Sequence, residues 1–236
     1  MNVLITGTSS GIGFDLARIF SKDSNNNVFA VSRNSINLEK LKSACLESNE
    51  DAQIFIFPLD LNEVSNYALL LNKIKAKVDR LDLLINNAGH ILNKPFESIT
   101  YEEVEQTFKV NVIAPFLLSQ SALPLLKAAK KPQIINIGSM GGVNGTAKFP
   151  GLSAYSSSKG ALSILSECLA EELKGYGIRV NCLALGAVNT AMLKSAFPGF
   201  NAAHESFEMA EYIANFALHS AQYFNGKTIQ VSSTTP

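Results

Sequence analysis

Short runs of consecutive apolar residues alternate along this chain with longer stretches in which apolar positions recur every three or four residues. The runs at 3–5, 28–31, 54–57, 83–85, 134–137, 180–183 and 228–231 are almost free of polar interruptions, the pattern of strands buried on both faces of a parallel sheet. The stretches 12–22, 37–48, 63–77, 101–128, 154–175 and 207–220 carry the stripe of an amphipathic helix. Strand and helix alternating over the whole length predicts an α/β fold: a doubly wound, seven-stranded parallel sheet, helices on both faces, joined by right-handed crossovers.

No internal repeat, low-complexity tract or interdomain linker interrupts the pattern, so residues 1–236 are expected to form a single domain. Two connections are longer than the rest. One, 139–153, is glycine-rich and precedes a helix; the other, 185–206, is expected to be a substrate loop. Long connections in a compact domain are commonly functional, and both would leave the carboxyl ends of strands, where ligands bind in open α/β sheets.

Composition narrows the classes of function. An apolar content of 47% with 17% charged residues belongs to a well-buried globular protein. The 20 basic and 20 acidic residues balance and do not gather into blocks, so no nucleic-acid or membrane surface is expected. Cys45, Cys168 and Cys182 are far apart and without metal-ligand spacing, so they read as reduced core residues and no metal is expected. With neither a signal-peptide pattern at the start nor an apolar run of bilayer-spanning length, the expectation is a soluble, cytoplasmic protein.

The first strand runs into Thr6-Gly7-Thr8-Ser9-Ser10-Gly11-Ile12-Gly13 and then a helix. Glycines at 7, 11 and 13 clear side chains from a tight turn, and the helix N-terminus offers free N–H groups and a positive dipole end to a pyrophosphate. The same letters formally match the G-x-S-x-G elbow of hydrolases. Such an elbow normally follows a mid-sheet strand, whereas this one follows the first, and a triad would need His204 or His219 without an evident oxyanion loop. After the second strand comes Ser32-Arg33-Asn34. An acidic residue there favours NAD by bonding the ribose hydroxyls; an arginine instead pairs with a 2′-phosphate, so NADP(H) is favoured over NAD(H).

Tyr155 and Lys159 lie four apart in Ser-Ala-Tyr-Ser-Ser-Ser-Lys-Gly, sixteen residues downstream of Ser139. On a helix this spacing turns a phenol and an ammonium to one face. A nearby cation lowers a tyrosine pKa from about 10, as an acid/base working near neutral pH requires. The pair alone is equally an ordinary solvated helix face.

Taken together, the glycine turn, Asn86-Asn87-Ala88-Gly89 after the fourth strand, Asn111, Ser139 and Tyr155-x-x-x-Lys159 resemble the short-chain dehydrogenase/reductase family, over essentially the whole chain. The resemblance implies a Rossmann-type fold and hydride transfer between a nicotinamide cofactor and a carbonyl or secondary alcohol substrate. Tyr155 would then be the general acid/base and Lys159 would lower its pKa and hold the nicotinamide ribose. Ser139 would hold the substrate oxygen, and Asn111 would fix a water in a proton relay. Cofactor contacts would come from Gly7, Ser9, Ser10, Gly11, Ile12 and Gly13, from Ser32 and Arg33, and from Asp60 and Leu61 beside the adenine. Asn87, Ala88 and Gly89 would border the adenosine, while Val188 and Thr190 would lie near the nicotinamide. A homodimer or homotetramer built on helices 101–128 and 154–175 is also implied.

Two departures from the family pattern stand out. Leu185 replaces a usual proline before Gly186, which would loosen the nicotinamide end. The Ser139–Tyr155 spacing is longer than usual, and Gly141, Gly142, Gly145 and Gly151 read as a flexible insertion. In the loop after the sixth strand, Met192, Leu193, Phe197 and Phe200 read either as an apolar lid or as ordinary packing. The rival to an enzyme is a non-catalytic dinucleotide-binding sensor or scaffold on the same fold.

Overall fold

The computed structural model describes residues 1–233. Its main sheet has seven parallel strands in the order β3-β2-β1-β4-β5-β6-β9: β1 (Asn2–Thr6), β2 (Asn27–Ser32), β3 (Gln53–Pro58), β4 (Leu83–Asn86), β5 (Gln133–Ser139), β6 (Arg179–Leu185) and β9 (Thr228–Val231). Helices α1 (Gly11–Ser21), α2 (Ser35–Ser48) and α8 (Ser206–Asn215) cover one face; α3 (Ser65–Lys75), α5 (Ala114–Lys127) and α6 (Ser153–Leu173) cover the other. Strand alternation sorts the side chains: Val3 and Ile5 pack under α1, while Leu4 joins Leu118, Ala122 and Leu126 of α5.

A buried polar chain crosses the sheet. Asn86 and Asn136 are paired in register on β4 and β5, and Asn86 Nδ2 donates to Asn136 Oδ1 (2.8 Å) and to Ser119 Oγ on α5 (3.2 Å). Asn136 Nδ2 donates in turn to Ser166 Oγ on α6 (2.8 Å). Satisfied in this way, the amides lock α5, the sheet and α6 into one arrangement directly beneath the carboxyl ends of the central strands.

The predicted helix 101–128 is broken. After α4 (Tyr101–Phe108), started by a capping box between Thr100 and Glu103, a π turn spans Lys109–Ile113 before α5 begins. The wider turn swings Asn111 into the protein. This α4–α5 stretch, Tyr101–Lys127, is by length and composition able to span a bilayer, yet Leu118, Ala122, Leu125 and Leu126 are core residues.

The connection 185–206 is not a bare loop. It holds β7 (Val188–Asn189), α7 (Ala191–Ala196) and β8 (His204–Glu205), with β7 and β8 paired side by side. Nor is Leu185 a weak point. It ends β6, buried, paired with Ser139 on one side and Val231 on the other, so sheet pairing fixes the backbone there in place of a proline ring. Cys45 and Cys182 are buried as expected, but Cys168 is exposed on α6.

Candidate active site

A cavity of about 920 Å³ opens at the carboxyl ends of the strands. At its floor, Gly7 and Gly11 take the left-handed conformation (φ +72° and +57°) that a Cβ would strain. Ser10 caps α1 from an extended conformation, and its side chain makes no capping bond, so the first N–H groups of the helix stay open toward a ligand. Asn87 holds this turn in place: its Nδ2 donates to Thr6 O (3.0 Å) and Gly7 O (3.2 Å), while Thr6 Oγ1 accepts from Asn87 N and Ala88 N (3.0 Å each). Gly13 is the exception among the predicted contacts. It does not line the cavity; a Cβ there would lie 2.3 Å from Gly7 O and 2.4 Å from Asn87 Nδ2, so it serves close packing of α1 on the turn.

The other predicted cofactor positions, from Ser9, Ser10 and Ile12 through Ser32, Arg33, Asp60, Leu61 and Asn87–Gly89 to Val188 and Thr190, all line the cavity. Asp60 does not cap α3, which begins at Ser65 with no side-chain cap; its Oδ1 instead accepts from Asn62 N (3.0 Å) in the turn that follows β3. Leu61 is steadied by a residue that sequence reasoning missed, since the Tyr67 hydroxyl donates to Leu61 O. Burial and the Asp60 charge push the Tyr67 phenol up to about 12, which keeps it protonated as a donor. Thr190 reaches across so that its Cγ2 would lie 3.1 Å from a Cβ on Gly11, and its Oγ1 accepts from Leu193 N (3.2 Å), capping α7.

Ser139, at the end of β5, and Tyr155 and Lys159, on one face of α6, meet on the same cavity wall. Lys159 is buried, and its Nζ donates to Ile137 O (2.8 Å) and lies 6.0 Å from the Tyr155 ring centroid. Their ionisation differs from the expectation that lysine lowers tyrosine. Burial pushes the Tyr155 phenol up, and its hydrogen bond with Ser139 pulls it back down. Burial pushes Lys159 down to about 8, with neighbouring Cys182 opposing. Asn111 is not on the cavity surface. It is fully buried, with Oδ1 accepting from His90 N (2.7 Å) and Nδ2 donating to His90 O (2.8 Å) and Ser158 Oγ (2.9 Å). Asn111 Oδ1 and Lys159 Nζ nevertheless flank one spot, each 3.5 Å from where a Cβ on Gly89 would sit.

The segment between Ser139 and Tyr155 is only partly the flexible insertion expected. Gly145 and Gly151 have positive φ, but Gly142 is pressed onto α6: a Cβ there would lie 2.6 Å from Lys159 C and 2.7 Å from Gly160 N. Phe149 and Leu152 from this segment line the cavity, as do Met192, Leu193, Phe197 and Phe200, which favours the lid reading over ordinary packing. Asn93 ties these walls together. Its Nδ2 donates to Ala196 O (2.8 Å) beside α7, and next to it Lys94 N donates to Gly151 O (3.0 Å).

Residues 1–200 match the family model described as short chain dehydrogenase. The chain belongs to this family. Among its relatives, the oxidoreductase YxjF of Bacillus subtilis is 35% identical over 192 residues, covering 81% of this chain and 72% of the relative. The cyclopentanol dehydrogenase of a Comamonas species is 30% identical over 191 residues, covering 80% and 74%. A short chain dehydrogenase from Shigella flexneri, solved in complex with NADP, superposes with a TM-score of 0.87 at 27% identity over 97% of this chain and 95% of that one. As a short chain dehydrogenase, the protein is an oxidoreductase acting on alcohols or carbonyls with a nicotinamide dinucleotide.

Proposed function

We propose that the protein is an NADP-preferring carbonyl reductase or alcohol dehydrogenase in which Tyr155 handles the proton. The observation that carries this reading is the meeting of Ser139, Tyr155 and Lys159 in the cavity that the glycine turn floors. The open turn at Gly7 and Gly11 and the unblocked N-terminus of α1 suit a pyrophosphate, and Arg33 suits a 2′-phosphate. Bound there, the nicotinamide supplies or accepts the hydride. For reduction, Ser139 holds the carbonyl oxygen and Tyr155 Oη gives it a proton, so that an alcohol leaves and the phenolate must be reprotonated. Burial keeps Tyr155 protonated, and the Ser139 hydrogen bond works against that burial by stabilising the phenolate left when the proton is given up. Lys159 provides the nearby positive charge, and the spot beside Gly89, between Lys159 Nζ and Asn111 Oδ1, suits a relay water. Asp60 and Leu61, which line the cavity, would flank the adenine, and Thr190 the nicotinamide. The half-exposed Ile113, Phe116 and Ile164 on α5, its preceding π turn and α6 support pairing of two copies.

A non-catalytic dinucleotide sensor has no use for a serine, tyrosine and lysine converging on one wall. In Tyr155→Phe, NADPH should still bind, measured by its fluorescence, while turnover of a ketone falls by about 10² to 10⁴. Near-wild-type kcat in that variant would remove Tyr155 from the reaction.

A further inference from the structure

The two halves of the cavity differ in chemistry. Among the described residues, the ionisable side chains that line it are Arg33, Asp60, His90, Tyr155 and Lys159. Arg33 and Asp60 follow β2 and β3, which stand three and four strands from β5, or about 14 and 19 Å at 4.8 Å per strand. Tyr155 is engaged with Ser139, and Lys159 with Ile137 O. His90 is tied by its backbone to Asn111, and burial with the Arg33 charge holds its ring toward the neutral form. On the β5–β6 side the walls are apolar: Phe149 and Leu152 on one, Met192, Leu193, Phe197 and Phe200 on the other.

Cations near this end are turned to other work. Lys94 is paired with Glu103 (2.8 Å), Lys148 Nζ is taken up by Val143 O (2.6 Å), and Lys194 of α7 does not line the cavity. Phe149 and Phe200 are 45% and 50% exposed, large apolar rings held open at the rim of a concave site, and Phe197 meets Phe200 edge-on at 6.5 Å. Apolar surface of this kind around a pocket is surface to be covered by a ligand. A carboxylate or phosphate entering there would lose its water, and among the described residues no arginine, and no lysine other than Lys159, lines that end to repay the loss.

We propose that the substrate is an uncharged, bulky, mainly hydrocarbon ketone or the corresponding secondary alcohol. Its oxygen lies at Ser139 and Tyr155, and its body packs between the Phe149 wall and the Phe197–Phe200 wall, which set specificity. This assignment rests on the hydride-transfer reading of the same site.

A matched pair tests it: 4-tert-butylcyclohexanone and 4-oxocyclohexanecarboxylate, each with the NADPH-loaded enzyme. The apolar ketone should have a kcat/KM at least about a hundredfold higher, and Phe197→Ala should raise its KM about tenfold without changing the NADPH Kd. Equal or greater efficiency with the carboxylate overturns the proposal, as does a Phe197→Ala enzyme with unaltered KM. Binding is read separately in NADPH-loaded Tyr155→Phe, from the change in NADPH fluorescence on adding each ketone. Saturable binding of the tert-butyl ketone alone supports the apolar class, and would do so even if the wild type reduced neither ketone, in which case hydride transfer falls instead. Equal binding of the two, or no binding of the apolar one, overturns the class.

Discussion

Arg33 faces the cavity from the end of β2, at the position where an acidic side chain would bond ribose hydroxyls instead. A guanidinium paired with a 2′-phosphate makes charge-assisted hydrogen bonds worth about 1.5–3 kcal/mol. Arg33→Ala should therefore raise the NADPH Kd by about tenfold or more and leave the NADH Kd within about twofold, by fluorescence titration. Equal losses for both cofactors would refute the 2′-phosphate assignment. Residues of this type were legible in the sequence because their chemistry is carried by their own side chains: Ser139, Tyr155, Lys159 and Arg33 all face the cavity. Tyr67 and Asn93 were not legible. Each acts on a backbone carbonyl, Leu61 O or Ala196 O, and a partner 103 residues away leaves no trace in local spacing. Gly13 shows the opposite limit, since a motif glycine reads the same whether it meets a ligand or, as here, the neighbouring turn.

At the scale of elements, the seven main strands follow their apolar runs, because burial on both faces leaves little room for another pattern. The π turn at Lys109–Ile113 was invisible, since one extra residue in a helical turn barely disturbs a periodic stripe. α7 is six residues long, too short for periodicity, although its N-cap Thr190 was a readable start signal. This short helix is linked to the 139–153 connection through the loop that carries Asn93 and Lys94. Asn93→Ala deletes one such tie, at a cost of about 1 kcal/mol. The KM for a ketone should rise about fivefold while the NADPH Kd stays put. An unchanged KM would show that α7 holds its place without Asn93.

For the molecule as a whole, the site carries a stability cost that pH can reveal. Burial pushes Lys159 down to about 8, below the 10.5 of a solvated lysine. Between those values the unfolded chain binds more protons than the folded protein, so the lysine's contribution to stability rises as pH increases through that window. Lys159→Met has no such titration, and both proteins carry Cys182→Ala, because the Lys159 charge also acts on that thiol. Its advantage over the protein that keeps Lys159, from denaturant unfolding, should shrink by roughly 2 kcal/mol between pH 7 and pH 10. A constant gap would mean that Lys159 keeps its ordinary pKa in the fold. The sheet order separates the ends of β2 and β3 from those of β5 and β6, and only the latter carry the long connections. Of these, the stretch after β6 leaves through Val188–Asn189 and returns through His204–Glu205, two pairs of residues bound directly to each other. Departure and landing points are therefore fixed to one another whatever lies between them. Residues 191–203 between them are thus the stretch open to insertion, deletion or grafting during divergence or laboratory recombination, with Thr190, which lies against Gly11, and the glycine turn itself left outside the splice.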